Sequence, residues 1–199
     1  GCINDTECEI CSPRIWFTSQ IFKRCDRKEG ESRLEKRDEA RFGLYSSMID
    51  ILNLEWTSYP SRDRNVATLV CNYLRMMGLS VVESSVFCGF EMIDRYRPCL
   101  LFLTNGTGAK VNFDLVKYAT LRGIKVVTLV SEGNFKSSIE LLPEFIWGWN
   151  KDHVLYERVN MQWSERTKEM TVQLYPQIRA QIKVSGAVGF DYYKIVLNL

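Results

Sequence analysis

Residues 99–134 read CLLFLTNGTGAKVNFDLVKYATLRGIKVVTLVSEGN, and this stretch decides the fold. Two apolar runs, Cys99–Leu103 and Ile124–Val130, each stop in a polar turn that contains glycine. The first turn is Thr104-Asn105-Gly106-Thr107-Gly108 and the second is Ser131-Glu132-Gly133-Asn134. The segment between the runs has helical spacing, with Asp114–Arg122 at its core and Gly123 as its stop. Apolar strands that alternate with helices build a parallel sheet, and such sheets take ligands at the carboxyl ends of their strands. The two turns are therefore the first place to look for function.

Working upstream, the same alternation holds back to Met48. Ile49–Leu54 reads as a buried strand that ends at Glu55-Trp56-Thr57-Ser58, and Tyr59-Pro60-Ser61-Arg62-Asp63 is a turn rich in N-cap candidates. Val66, Leu69, Val70, Tyr73, Leu74 and Met77 fall on one helical face, closed by Gly78. Leu79–Val82 begins a second strand, and Phe90, Ile93 and Tyr96 make a short helix face ended by Pro98. The run predicts an α/β, Rossmann-like parallel sheet with helices on both faces and right-handed crossovers. Downstream the pattern loosens. Leu141–Phe145 and Trp147-Gly148-Trp149 are irregular and aromatic, Val159–Tyr175 reads as a helix, and Ile182–Val184 reads as a short strand.

Residues 1–47 differ from the rest. They hold Cys2, Cys8, Cys11 and Cys25 and carry nine basic and nine acidic residues with weak periodicity. They read as a poorly structured or helical extension ahead of a domain over 48–199. Cys8 and Cys11 form half of a zinc-site pattern whose second close pair is missing, so no metal is expected. Cys71, Cys88 and Cys99 lie in apolar segments and read as small core residues.

Composition narrows the function classes. A formal net charge of +2 on 199 residues is too near balance to imply a nucleic-acid partner. The longest apolar runs fall short of the roughly 20 residues that span a bilayer, which leaves at most peripheral membrane association. Unpaired cysteine usage and the missing signal-peptide core point to a cytoplasmic location.

The polar residues collect at strand ends: Glu55 after the first strand, Arg62 at the start of the next helix, Asn105, Gly106 and Thr107 after the third, and Ser131, Glu132 and Gly133 after the fourth. In a parallel sheet these converge on one edge. Asn-Gly-Thr-Gly is too short for a P-loop and departs from GxGxxG, so it is either an anion cradle or a tight βα turn. A partly desolvated Glu132 suits a general base, while composition alone favours a helix cap or an ion-pair partner. Trp149 or Trp147 suits stacking on a sugar face, or simple packing. His153 has no matching nucleophile motif and gives no triad signal.

Leu-Glu-Trp at the end of the first strand, Gly123–Gly133, Trp147-Gly148 and Val184-Ser185-Gly186-Ala187-Val188-Gly189-Phe190-Asp191 occur in an order that resembles a known family. It is the amino-terminal half of bacterial surface-carbohydrate biosynthesis proteins with the GT-B glycosyltransferase fold, over about residues 48–195. In that family a strand ends in a Glu-Gly pair, and a later segment reads like TG-x-x-x-FD near the interdomain linker. The resemblance implies a nucleotide-sugar-dependent glycosyltransferase for surface polysaccharide, of which this chain is the acceptor-binding half. Glu132 would then be the catalytic or acceptor-contacting carboxylate, with Asn105, Gly106 and Thr107 along the cleft. It implies a carbohydrate acceptor and a nucleotide sugar as partners, the latter as a co-substrate held by a donor-domain polypeptide beyond this chain, with no cofactor bound by this chain itself. The alternative is a non-enzymatic Rossmann-like module that binds a sugar, a nucleotide or a protein.

Overall fold

The computed structural model describes residues 48–56, 61–130 and 140–188. Six parallel strands form one sheet: β1 (Ile51–Glu55), β2 (Val81–Ser85), β3 (Leu100–Leu103), β4 (Lys125–Leu129), β5 (Val159–Gln162) and β6 (Ile182–Val184). Their spatial order is β2-β1-β3-β4-β5-β6. The helices are α1 (Arg62–Met76), α2 (Gly89–Tyr96), α3 (Lys110–Leu121), α4 (Leu142–Trp147) and α5 (Glu165–Leu174). This is the expected Rossmann-like α/β architecture. The connections run one way from β1 to β2 and the other way from β2 onward, so the order reverses between β1 and β3. A crevice opens at such a reversal, at the carboxyl ends of the strands.

The alternation of side chains along each strand explains the two layers of helices. Leu52, Leu54, Leu101, Leu103 and Val126 turn to one face and pack with Ile93 of α2 and Leu115, Val116 and Ala119 of α3. Asn53, Glu55 and Glu83 turn to the other, where α1 lies: Thr68 donates to Glu83 at 3.4 Å and Arg75 pairs with Glu83 at 2.7 Å. The buried face of α1 is Val66, Ala67, Cys71 and Leu74, so the expected face is rotated: Leu69, Val70 and Tyr73 are half-buried and Met77 is exposed. Its start is set by Ser61, whose hydroxyl accepts the Arg64 N–H at 3.1 Å. Gly78 and Gly123 follow the helices they were expected to end, with φ of +83° and +77°.

Three expectations are corrected. Residues 159–175 are not one helix but β5 followed by α5. Val159, Asn160, Met161 and Gln162 are all buried in the sheet, and Ser164 starts the helix by accepting the Thr167 N–H at 3.2 Å. Ser164 before Glu165, an N-cap residue before an acidic first turn, is the signal that separates the two elements. Residues 142–147 are not irregular but a short helix that opens with Pro143. Cys88 is not a core residue: among the described cysteines it is exposed, Cys99 is half-buried and Cys71 is buried.

Candidate functional site

The turn after β3 is built from its own side chains. Asn105 Oδ1 accepts the N–H groups of Thr107 at 3.3 Å and Gly108 at 2.8 Å, and Asn112 Nδ2 donates to the Asn105 carbonyl at 2.6 Å. An Asn at the first turn position competes for backbone donors in this way, which explains why the strand stops here.

Two buried carboxyl groups hold this turn. Glu55 ends β1 at the strand-order reversal and is only 2% exposed. Its Oε1 accepts the Thr104 N–H at 2.8 Å and its Oε2 accepts the Thr104 hydroxyl at 2.5 Å. Asn53 Nδ2 adds a third hydrogen bond at 3.2 Å. Burial pushes the Glu55 carboxyl up to about 7, against the pull of these three donors. Glu157, just before β5, is 1% exposed and lies beneath Gly106. A Cβ on Gly106 would stand 2.5 Å from Glu157 Oε1 and 2.7 Å from Thr128 Cγ2, so any larger residue there forces these side chains to shift. Burial pushes Glu157 up to about 7 as well, opposed by hydrogen bonds from its own backbone and the Thr128 side chain.

A cavity of about 700 Å³ opens between this turn, the end of β4 and α4, within the range of small-molecule sites. Asn105, Gly106, Thr107 and Gly108 form one wall, Val130 and Asn160 the strand-end floor, and residues 143–149 the opposite wall, with Lys151 and His153 beside it. The walls meet where Trp149 N–H donates to the Thr107 carbonyl at 3.1 Å. Gly148, at φ +44°, permits this approach: a Cβ there would stand 2.5 Å from the Thr107 oxygen. The 148–156 loop is tied to α3 through Asp152, which accepts from Lys117 Nζ and from the Tyr156 hydroxyl, both at 2.6 Å. Lys117 holds the Asp152 carboxyl below its ordinary range.

The two tryptophans of the Trp-Gly-Trp segment part company. Trp147 is buried and stacks on His153 with ring centroids 5.4 Å apart. Trp149 is 52% exposed and lines the cavity. Among the described residues, Trp147 Nε1 and Asn160 Oδ1 are buried without a hydrogen-bond partner, and both residues line the cavity.

Of the residues expected at the site, the structure brings Asn105, Gly106, Thr107 and Trp149 to one cavity. Glu55 does not line it; it supports the turn from the other side through Thr104. Arg62 opens α1, and its side chain lies outside the described residues. Ser131, Glu132 and Gly133 lie outside the described residues, as do Cys2, Cys8, Cys11 and Cys25. The sequence reading missed Thr104, Asn160 and Glu157. Thr104 is a polar residue at a strand end, a signal it used elsewhere; Asn160 lies inside β5, which the sequence reading took for helix. Glu157 gives no signal, because its burial depends on Gly106 and Thr128 from distant segments.

Among the described residues, no three His, Cys, Asp or Glu side chains are grouped to hold a metal ion, and no helix is long and apolar enough to cross a membrane. No protein-family model matches the chain, and comparison with curated proteins finds no match.

Proposed function

We propose that this domain binds a carbohydrate in the cavity at the carboxyl edge of its sheet, as the acceptor side of a nucleotide-sugar-dependent glycosyltransferase for surface polysaccharide. The observation that carries the reading is the half-exposed indole of Trp149 beside a wall of amide and hydroxyl groups. Pyranose rings present apolar C–H faces to an aromatic plane and a rim of hydroxyls to polar groups. In the transfer, an acceptor hydroxyl attacks the anomeric carbon of the activated sugar, the bond from that carbon to the nucleotide's phosphate oxygen breaks so that the nucleotide leaves, and the hydroxyl loses its proton to a base. Glu132 is the proposed base; it follows Val130, a lining residue, by two positions. The nucleotide sugar is held by a donor-domain polypeptide.

A second reading, sugar binding without catalysis, draws on a specific observation. Glu55 and Glu157, the two buried carboxyl groups behind the turn, support it without lining the cavity, and among the described lining residues the carboxyl group is that of Glu144 on the opposite wall.

Isothermal titration of the chain with neutral oligosaccharides tests the binding. Trp149→Ala should weaken it at least tenfold with little change in melting temperature, since half of that side chain already meets solvent. Unaltered affinity in the variant removes the cavity from the proposal. For catalysis, Glu132→Gln in the polypeptide that includes a donor domain should abolish transfer and leave acceptor affinity in place.

A further inference from the structure

The cavity floor contains a hydrogen-bond chain with a direction. Asn160 Nδ2 donates to Thr128 Oγ1 at 3.1 Å, and the Glu157 carboxyl lies beside the Thr128 side chain beneath Gly106, its Oε1 buried with no hydrogen-bond partner among the described residues. A hydroxyl has one proton to give. When Thr128 gives it to an ionised Glu157, Oγ1 is left as an acceptor, and Asn160 must present its N–H₂ end to it. Asn160 Oδ1 is then the free end: the residue is 7% exposed, lines the cavity, and its Oδ1 has no partner among the described residues. Buried acceptors are rarely left so.

We propose that Asn160 is the residue that selects a hydrogen-bond donor on the ligand, a hydroxyl or amide N–H of a sugar, and that Thr128 and Glu157 are positioning residues that hold its amide oxygen toward the cavity. This rests on the carbohydrate-binding reading of the cavity and adds to it the group that decides which sugar fits. Glu157 does not line the cavity and acts only through Thr128. Gly106 gives the carboxyl its place, since any Cβ there would displace Oε1.

The chain reverses when Glu157 takes a proton. A carboxylic acid can donate to Thr128 Oγ1, which frees the threonine proton for Asn160 Oδ1 and turns the N–H₂ end into the cavity. The floor then offers a donor where it had offered an acceptor. Burial that raises the Glu157 carboxyl to about 7 sets this reversal in the neutral range. The groups acting on that carboxyl are its own backbone and Thr128, with no charged side chain among them. The side chain of Gln181, ahead of β6, donates to the backbone carbonyls of Leu155 at 3.0 Å and Glu157 at 2.6 Å. Across the cavity the titratable and charged neighbours are Glu144, Lys151 and His153. Because His153 lies beside the cavity, the measurement is repeated in His153→Gln.

The experiment is isothermal titration of the full chain with a panel of neutral gluco-, manno-, galacto- and N-acetylglucosamine trisaccharides, at pH 6 and pH 8. With the tightest member, Asn160→Leu should bind about fivefold more weakly at pH 8, the worth of one ordinary hydrogen bond. Its melting temperature should be equal to or above that of the wild type, because the substitution removes an unpaired buried acceptor. Wild-type affinity should fall severalfold from pH 8 to pH 6, both with and without His153→Gln, and Glu157→Gln should flatten that profile. Binding that is lost in Trp149→Ala but unchanged in Asn160→Leu overturns the role of Asn160 and leaves the carbohydrate reading standing. A pH profile that persists in Glu157→Gln overturns the positioning role. If no panel member binds the wild type, the carbohydrate reading fails and this inference fails with it.

Discussion

Replacing Glu55 by Gln should change how the stability of this domain depends on pH. The carboxyl has an ordinary value of 4.5 and is raised to about 7 by burial at the end of β1. Each unit of difference between folded and unfolded chain is worth about 1.4 kcal/mol, so the full gap is about 3 kcal/mol. The folded state holds the proton more tightly than the unfolded state. Below pH 4.5 both states are protonated and stability is fully present. As pH rises toward 7 the unfolded chain ionises first, and stability falls until the folded carboxyl has ionised too. Glu157 adds a fall of the same sign over the same window. Urea denaturation followed by circular dichroism, at steps from pH 5 to pH 8, should show this decline in the wild type. Glutamine keeps the size of the side chain. Its oxygen can still accept the Thr104 N–H, and its N–H₂ can donate to the Thr104 hydroxyl, which also accepts. Glu55→Gln should therefore remove roughly half of the decline, with Glu157 supplying the rest, and at pH 8 the variant should be at least as stable as the wild type. A variant with the full wild-type slope would show that Glu55 ionises as it does in the unfolded chain. A variant less stable at pH 8 would show that the three hydrogen bonds to the carboxylate outweigh its burial, and either result refutes the reasoning.

Other outcomes follow from packing. Gly106→Ala should cost about 1–3 kcal/mol in urea denaturation, because the new methyl meets Glu157 Oε1 and Thr128 Cγ2 inside van der Waals distance. Leu74→Ala, at a fully buried position on α1, should cost about 2–5 kcal/mol; a loss below 1 kcal/mol would mean that α1 does not pack on the sheet as described. Thiol labelling under native conditions should lose one fast-reacting group in Cys88→Ser and none in Cys71→Ser. Cys88 is exposed, whereas burial pushes the Cys71 thiol up to about 12.

The alternation of β and α elements through residue 130 was legible because each apolar run is short, interrupted by turn residues and followed by a clear helical period. It failed at 159–175, where a four-residue strand runs into a helix after Trp163 and one apolar period spans both. The turn after β3 was legible as a candidate site because Asn and Gly at a strand end announce themselves. Its two supports were legible to different degrees. Glu55 stands next to a strand that predicts its place, and its partner Thr104 lies 49 residues away. Glu157 sits in Leu155-Tyr156-Glu157-Arg158, where nothing in the local pattern tells a buried carboxyl from a solvated one.

By itself, then, the sequence determined the α/β class, the parallel sheet and the gathering of polar turns at its carboxyl edge, because periodicity and turn chemistry are local properties. Tertiary structure alone decided which of those turns face a common cavity, which tryptophan is packed and which is open, and which carboxyl groups are buried. Those outcomes depend on strand order and on close approaches such as Gly148 to Thr107 and Gly106 to Glu157. Contacts of this kind join segments far apart in the chain, and no local pattern carries them.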